Sequence, residues 1–129
     1  MYKNFKEMNI WNEAMEVAVD IFKVTENLPR KEDFALTSQI RRSSLSISGN
    51  IAEAFGRGYN LDKVNFYYFA RGSLTETQNY VEYGKRVGYF GEDKVSALEL
   101  KLENIGLELN KIIVTLTKGK TVKKNSVVA

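Results

Sequence analysis

A chain of 129 residues with 43% apolar and 27% charged side chains is long enough for one domain around a single core. It contains no cysteine and no histidine, which excludes disulfides, thiolate nucleophiles, the Ser-His-Asp arrangement and every His-containing metal site. The net charge of +3 is uneven: no acid follows Glu108, so residues 109–129 carry +5 and residues 1–108 carry −2, unlike a DNA-binding domain with its charge concentrated on a folded face.

No apolar run approaches the roughly 20 residues of a membrane span. The opening MYKNFKEMNIW lacks the apolar core of a signal peptide. A cytoplasmic protein with no membrane partner is expected.

Proline occurs once, at Pro29, and glycines cluster near 56–58 and 84–91. These residues divide positions 1–118 into four segments of helical period. The first covers about 9–27, where Ile10, Ala14, Val17, Ala18, Ile21 and Leu28 share a face. The second covers about 30–56, with a stripe of Leu36, Ile40, Ile47, Ile51 and Ala54. Gly56 is expected to end it in the left-handed conformation. The third covers about 61–87, with Asp62 or Asn60 as its cap. The fourth covers about 92–118, where Val95, Leu98, Leu102, Ile105, Leu109, Ile112 and Leu116 step alternately by three and four, an a/d seam of period 3.5. No segment keeps a period of two. The predicted fold is all-α, an antiparallel up-down-up-down four-helix bundle over 1–118. Residues 119–129 lack periodicity and are expected to form a basic disordered tail.

The second segment is rich in poor helix formers: Ser38, Ser43, Ser44, Ser46, Ser48, Gly49 and Asn50. On a wheel of 100° per residue, Gln39, Arg42, Ser43, Ser46, Asn50, Glu53 and Arg57 make a polar stripe about 100° from the apolar one. A flank in that position is normally covered by a neighbouring helix. Segment three offers Phe66, Ala70, Ser73, Thr77 and Gly84, mostly small, so the two backbones can approach closely. A buried Arg42–Glu76 ion pair is expected between them, with Gln39, Asn50 and Glu53 completing a structural polar network. Catalytic and metal roles are not expected. A di-iron site in such a bundle needs Glu-x-x-His motifs, and there is no histidine. The chain is read as neither an enzyme nor a cofactor protein.

Two surfaces are candidates for binding. Leu100, Leu107 and Val114 recur every seven residues opposite the core seam of segment four, which predicts an oligomer interface. Lys63, Tyr67, Tyr68 and Arg71 are expected to form an exposed cation–aromatic patch suited to single-stranded RNA, with Lys118, Lys120, Lys123 and Lys124 near the C-terminus.

Several of these residues carry a resemblance. Leu36-x-x-Gln39-x-x-Arg42, Ser46-Ile47-x-x-Asn50-Ile51-Ala52-Glu53 and Gly56-Arg57, with Ala70-x-Gly72-Ser73-x-x-Glu76, resemble the bacterial four-helix-bundle proteins encoded in intervening sequences of large-subunit ribosomal RNA genes. These proteins are also described as ribosomal-protein-like. Trp11 with Ala14, and Pro29 followed by Glu32, match the family's opening, so the resemblance spans about residues 9–117. One departure is Ala54-Phe55, where the family commonly has glycine. The resemblance implies a ring-like homopentamer. It also implies kinship with the accessory protein of diversity-generating retroelements, which binds a reverse transcriptase and nucleic acid. Two functions follow as expectations: a non-catalytic homo-oligomeric interaction module with RNA as candidate ligand, or an adaptor for a nucleic-acid enzyme such as a reverse transcriptase.

Overall fold

In the computed structural model, four helices follow one another: α1 (Asn9–Thr25), α2 (Leu36–Phe55), α3 (Asn60–Arg86) and α4 (Glu92–Val128). The structure describes residues 1–118 in full and the backbone alone of 119–128. The tail expected over 119–129, including Lys120, Lys123 and Lys124, therefore lies outside the fully described residues. No strand occurs among the described residues.

Each helix packs on its sequence neighbours and α1 closes on α4, whereas among the described residues the backbones of α1 and α3, and of α2 and α4, stay further apart. The four helices thus sit at the corners of a square. Neighbours are antiparallel. Lys63 near the start of α3 reaches Ala54 and Phe55 at the end of α2, while Thr77 meets Ser43 further back. Lys101 in α4 bridges to Glu16 and Asp20 of α1, and Asn110 meets Arg71 of α3. The core runs down the middle through Val17, Ile21, Ile40, Ile47, Ile51, Val81, Leu102, Ile105 and Leu109, all essentially inaccessible to water.

The α4 seam departs from its expected period at one end. Val95 to Leu109 are buried as expected, but the next buried residue is Ile113, with Ile112 and Leu116 only half-buried. An unsupercoiled helix of 3.6 residues per turn drifts away from a 3.5 repeat, and after two heptads the drift moves the buried position on by one.

α2 starts six residues later than predicted. Arg30–Glu32 form a 3₁₀ turn instead, and Asp33, Phe34 and Ala35 lead into the helix. No side chain of the core stripe precedes Leu36, so packing supports the helix only from there. The Glu32 carboxylate accepts from the Leu36 N–H at 3.3 Å and helps to satisfy the new helix end.

Two helix ends differ from expectation. Gly56 is not left-handed; its φ is −76°. The N–H groups of Gly56 and Arg57 close the last turn of α2 on Ala52, Glu53 and Ala54 carbonyls, and the Lys63 ammonium adds a charged donor to Ala54 O at 3.0 Å and Phe55 O at 3.3 Å. α3 is preceded by Tyr59 with no side-chain cap, so Asn60 and Asp62 both lie within its first turn. The α3 C-terminus carries the one left-handed glycine of the described chain, Gly88 at φ +86°. Tyr89 N–H donates to Gly84 O at 2.9 Å and Gly88 N–H to Lys85 O at 3.1 Å, the two bonds of a Schellman cap.

Candidate functional site

The serine-rich stretch of α2 meets α3 through Ser43, one member of the polar stripe. Ser43, Ser44 and Ser48 are buried, together with Thr77 of α3. Their hydroxyls reach carbonyls one turn back: Ser43 to Ile40 O, Ser44 to Arg41 O, Ser48 to Leu45 O and Thr77 to Ser73 O. Thr77 Oγ1 and Ser43 Oγ lie 2.8 Å apart across the helix pair. Ser43 and Thr77, small and bonded to each other as well as one turn back, let α2 and α3 approach closely, whereas the buried Thr37 hydroxyl of α2 has no partner among the described residues.

The expected Arg42–Glu76 network is not formed. Arg42, Glu76, Gln39 and Glu53 are all exposed, and no ion pair joins Arg42 to Glu76 among the described residues. Glu53 pairs instead with Arg57 at 3.4 Å, one turn on, and the half-buried Asn50 donates to Ser46 O. The physical reason is cost. A long charged pair needs a wide, fully compensated space, and a close serine–threonine crossing leaves none. The charges stay at the lip of the groove, in water.

The nucleic-acid patch is also altered. Tyr67 is only 5% exposed and belongs to the core, where burial pushes its hydroxyl pKa up. Lys63 is committed to the end of α2. Tyr68 and Arg71 remain exposed, the guanidinium 4.8 Å above the ring and bonded to Asn110 Oδ1 at 3.1 Å. Lys118 is exposed on α4.

The outward ridge of α4 is where the wheel put it. Leu100, Leu107 and Val114 are 61%, 55% and 61% exposed, in line along one side of the helix. Glu99 and Glu103 flank them, exposed and without an ion pair within the described chain. Phe69 and Tyr83 of α3 are exposed as well, Phe69 with its ring edge-on to Phe66 and Tyr83 lining a hollow beside α2.

Two hollows adjoin these faces. One, about 540 Å³, lies between α1 and α4 and is lined by Asp20, Lys23, Lys94 and Lys101 among others. Lys101 donates there to Asp20 at 2.7 Å and to Glu16 at 2.5 Å, bonds that raise its pKa. The other, about 350 Å³, opens on the α2–α3 groove beside Leu36, Gln39, Tyr80 and Tyr83. Glu32 sits at its edge, accepting from Tyr89 Oη at 2.9 Å. The sequence reading missed Glu32, Tyr89 and Lys101, because each acts through one distant contact with no periodic trace. No set of three or more His, Cys, Asp or Glu side chains able to hold a metal occurs among the described residues. No described helix is long and apolar enough to cross a membrane.

These features define an all-α four-helix protein whose distinctive surfaces are an aliphatic ridge and a groove. The chain belongs to the 23S rRNA-intervening sequence protein family, whose family model matches residues 6–111. A similar solved structure is a protein of unknown function from the S23 ribosomal protein family of Bacteroides thetaiotaomicron. It is 27% identical, with a TM-score of 0.73, and the match covers 81% of this chain and 97% of that one. No curated protein matches the sequence.

Proposed function

We propose that this protein is a non-catalytic interaction module that works as a homo-oligomer, built through the outward face of α4. The observation that carries this reading is the in-register exposure of Leu100, Leu107 and Val114 on a helix whose opposite face already fills the core. A bundle helix needs one apolar face, and a second row of exposed aliphatic side chains favours a partner. The ring and its pentameric count rest on the family resemblance alone. The test is Leu100→Glu with Leu107→Glu, which puts charges on the ridge and spares the seam. Light scattering should show loss of the native oligomer with helix content unchanged. An unchanged oligomer would refute the α4 contact.

RNA as a ligand has narrower support, in Arg71 stacked on the exposed Tyr68. Binding that weakens steeply with salt and is lost in Arg71→Ala would support it. Co-purification of the native chain with a polymerase would support the adaptor reading instead.

A further inference from the structure

The hollow of about 350 Å³ lies where α2 begins and α3 ends, away from the α4 ridge. Three pieces of chain wall it. The 3₁₀ turn supplies Glu32, the first turns of α2 supply Leu36 and Gln39, and α3 supplies Asn79, Tyr80 and Tyr83. No lysine or arginine lines it. Its volume falls at the low end of the ~300–1,000 Å³ that small-ligand sites occupy.

Glu32 stands on this wall as a carboxylate without a counter-charge. It is half-buried. It accepts from the Leu36 N–H at 3.3 Å and from Tyr89 Oη at 2.9 Å. Both donors are neutral, and no ion pair reaches Glu32 among the described residues. Arg30 and Lys31, beside it on the turn, are exposed and do not pair with it. A carboxylate has about four acceptor positions, so two bonds leave room for a charged donor. The same two bonds fix its place, one to the helix it precedes and one to the loop after α3. A fixed carboxylate on the wall of a hollow, partly withdrawn from water, favours a cation there.

The remaining lining selects the kind of cation. Tyr80 is half-buried and Tyr83 is 50% exposed, and a tyrosine ring attracts a cation over its face. The side-chain amides of Gln39 and Asn79 make no hydrogen bond within the described chain, and each offers a carbonyl oxygen. A metal ion is a poor match, since no set of three acidic groups converges among the described residues. A lysine ammonium is a compact, strongly hydrated point charge. A guanidinium is planar and more weakly hydrated, stacks on rings, and forks its donors toward carboxylate and amide oxygens. A nucleotide would stack on the same rings, but its phosphate would meet Glu32 as a like charge.

We infer that this hollow is a receptor for a guanidinium group, that of free arginine or of an arginine in a peptide. The guanidinium donates to Glu32 and lies against Tyr83, and its aliphatic stem meets Ala35 and Leu36 in the same lining. Two exposed charges stand one turn outside, Arg42 beyond Gln39 and Glu76 before Tyr80. They are opposite in sign, so Glu32 decides the charge of the ligand.

The probe is Nα-acetyl-arginine methylamide, titrated into the full-length chain while amide resonances are followed, with deuteration so that an oligomer remains observable. Resonances around 32–39 and 79–83 should shift, with a dissociation constant on the order of 0.1–1 mM, the scale for a ligand of that size. The citrulline analogue, equal in shape but neutral, should bind about tenfold more weakly, and so should the lysine analogue. Glu32→Gln keeps the size of the side chain and an acceptor for Leu36 and Tyr89, and should weaken the arginine probe about tenfold. Tyr83→Leu, an exposed replacement that keeps apolar volume and loses the ring, should weaken it about threefold. Circular dichroism confirms the fold of both variants. Free arginine separates the sources: weaker binding than the blocked probe assigns a peptide-borne arginine, equal or tighter binding the free amino acid, and either supports the inference. Absence of shifts at those residues overturns it. So does a citrulline or lysine analogue that binds as well as the arginine probe, an unchanged affinity in Glu32→Gln, or adenosine monophosphate occupying the hollow where the arginine probe does not.

Discussion

Replacing Gly84 by alanine probes the most crowded of the glycine positions among the described residues. A Cβ at that position would lie 2.2 Å from both Cδ2 and Cε2 of Phe90 and 3.0 Å from its Cζ. The ring is 3% exposed, so it has no water to swing into. The loop that carries it is pinned as well, since the N–H groups of Tyr89 and Phe90 both donate to Gly84 O, at 2.9 and 3.1 Å. Overpacking of this kind costs about 1–3 kcal/mol. The exchange of glycine for alanine inside a helix returns about 1 kcal/mol. Gly84→Ala should therefore destabilise by up to about 2 kcal/mol on these opposing magnitudes. The assay is the urea midpoint by circular dichroism, at one fixed protein concentration because association shifts apparent stability. A double-mutant cycle isolates the cause. In a Phe90→Ala background the clash is gone, and Gly84→Ala should become stabilising by about 1 kcal/mol through helix propensity. Equal destabilisation in both backgrounds would refute the steric reasoning.

Three further outcomes follow from the same contacts. Ser43→Leu should destabilise by about 1–3 kcal/mol, because the α2–α3 crossing has no room for the larger side chain; a neutral result in urea titration would show that the helices are not held close there. Lys63→Met should lower stability by about 1 kcal/mol by leaving the Ala54 and Phe55 carbonyls without their charged donor, with hydrogen exchange rising in the last turn of α2 if that is the cause. Raising the pH should lower the melting temperature above about pH 10, the ordinary range of tyrosine and lysine. The Tyr89 hydroxyl is held protonated chiefly by its bond to Glu32, and the Lys101 ammonium chiefly by its bonds to Asp20 and Glu16, so both folded pKa values are raised. Each contribution is fully present below the unfolded pKa and is lost as pH rises through the folded one. Tyr89→Phe should flatten part of that alkaline fall, and an unchanged curve would show that the Glu32 bond contributes nothing.

The helices were legible in the sequence where periodicity was long and unbroken. In α4 the steps from Val95 to Leu109 locate the core directly, and the error enters only where small phase differences accumulate, at Ile112 against Ile113. In α2 the wheel found a polar flank beside the core but could not say which edge turns inward. Ser43 and Arg42 differ by one position, and the close approach of α3 admits the hydroxyl and rejects the guanidinium. Tyr67 was readable in principle: with Ala70, Leu74, Thr77 and Val81 it continues the buried series of α3, whereas its aromatic neighbours drew it into a surface patch. The start of α2 was not readable from Pro29 alone, because the proline marks where a helix ends without fixing where the next begins. The contacts that Lys63, Glu32 and Lys101 make left no pattern in the sequence. Each is a single contact fixed by the tertiary arrangement.

Self-association through α4 is tested most directly by the mass of the wild-type protein in solution. Sedimentation equilibrium across a wide concentration range should give a stable multiple of the 14.7 kDa chain mass. That multiple should collapse to a single chain when Leu100 and Leu107 are both replaced by glutamate. A wild-type mass of 14.7 kDa at every concentration would contradict the proposal, leaving Leu100, Leu107 and Val114 as three aliphatic side chains in water.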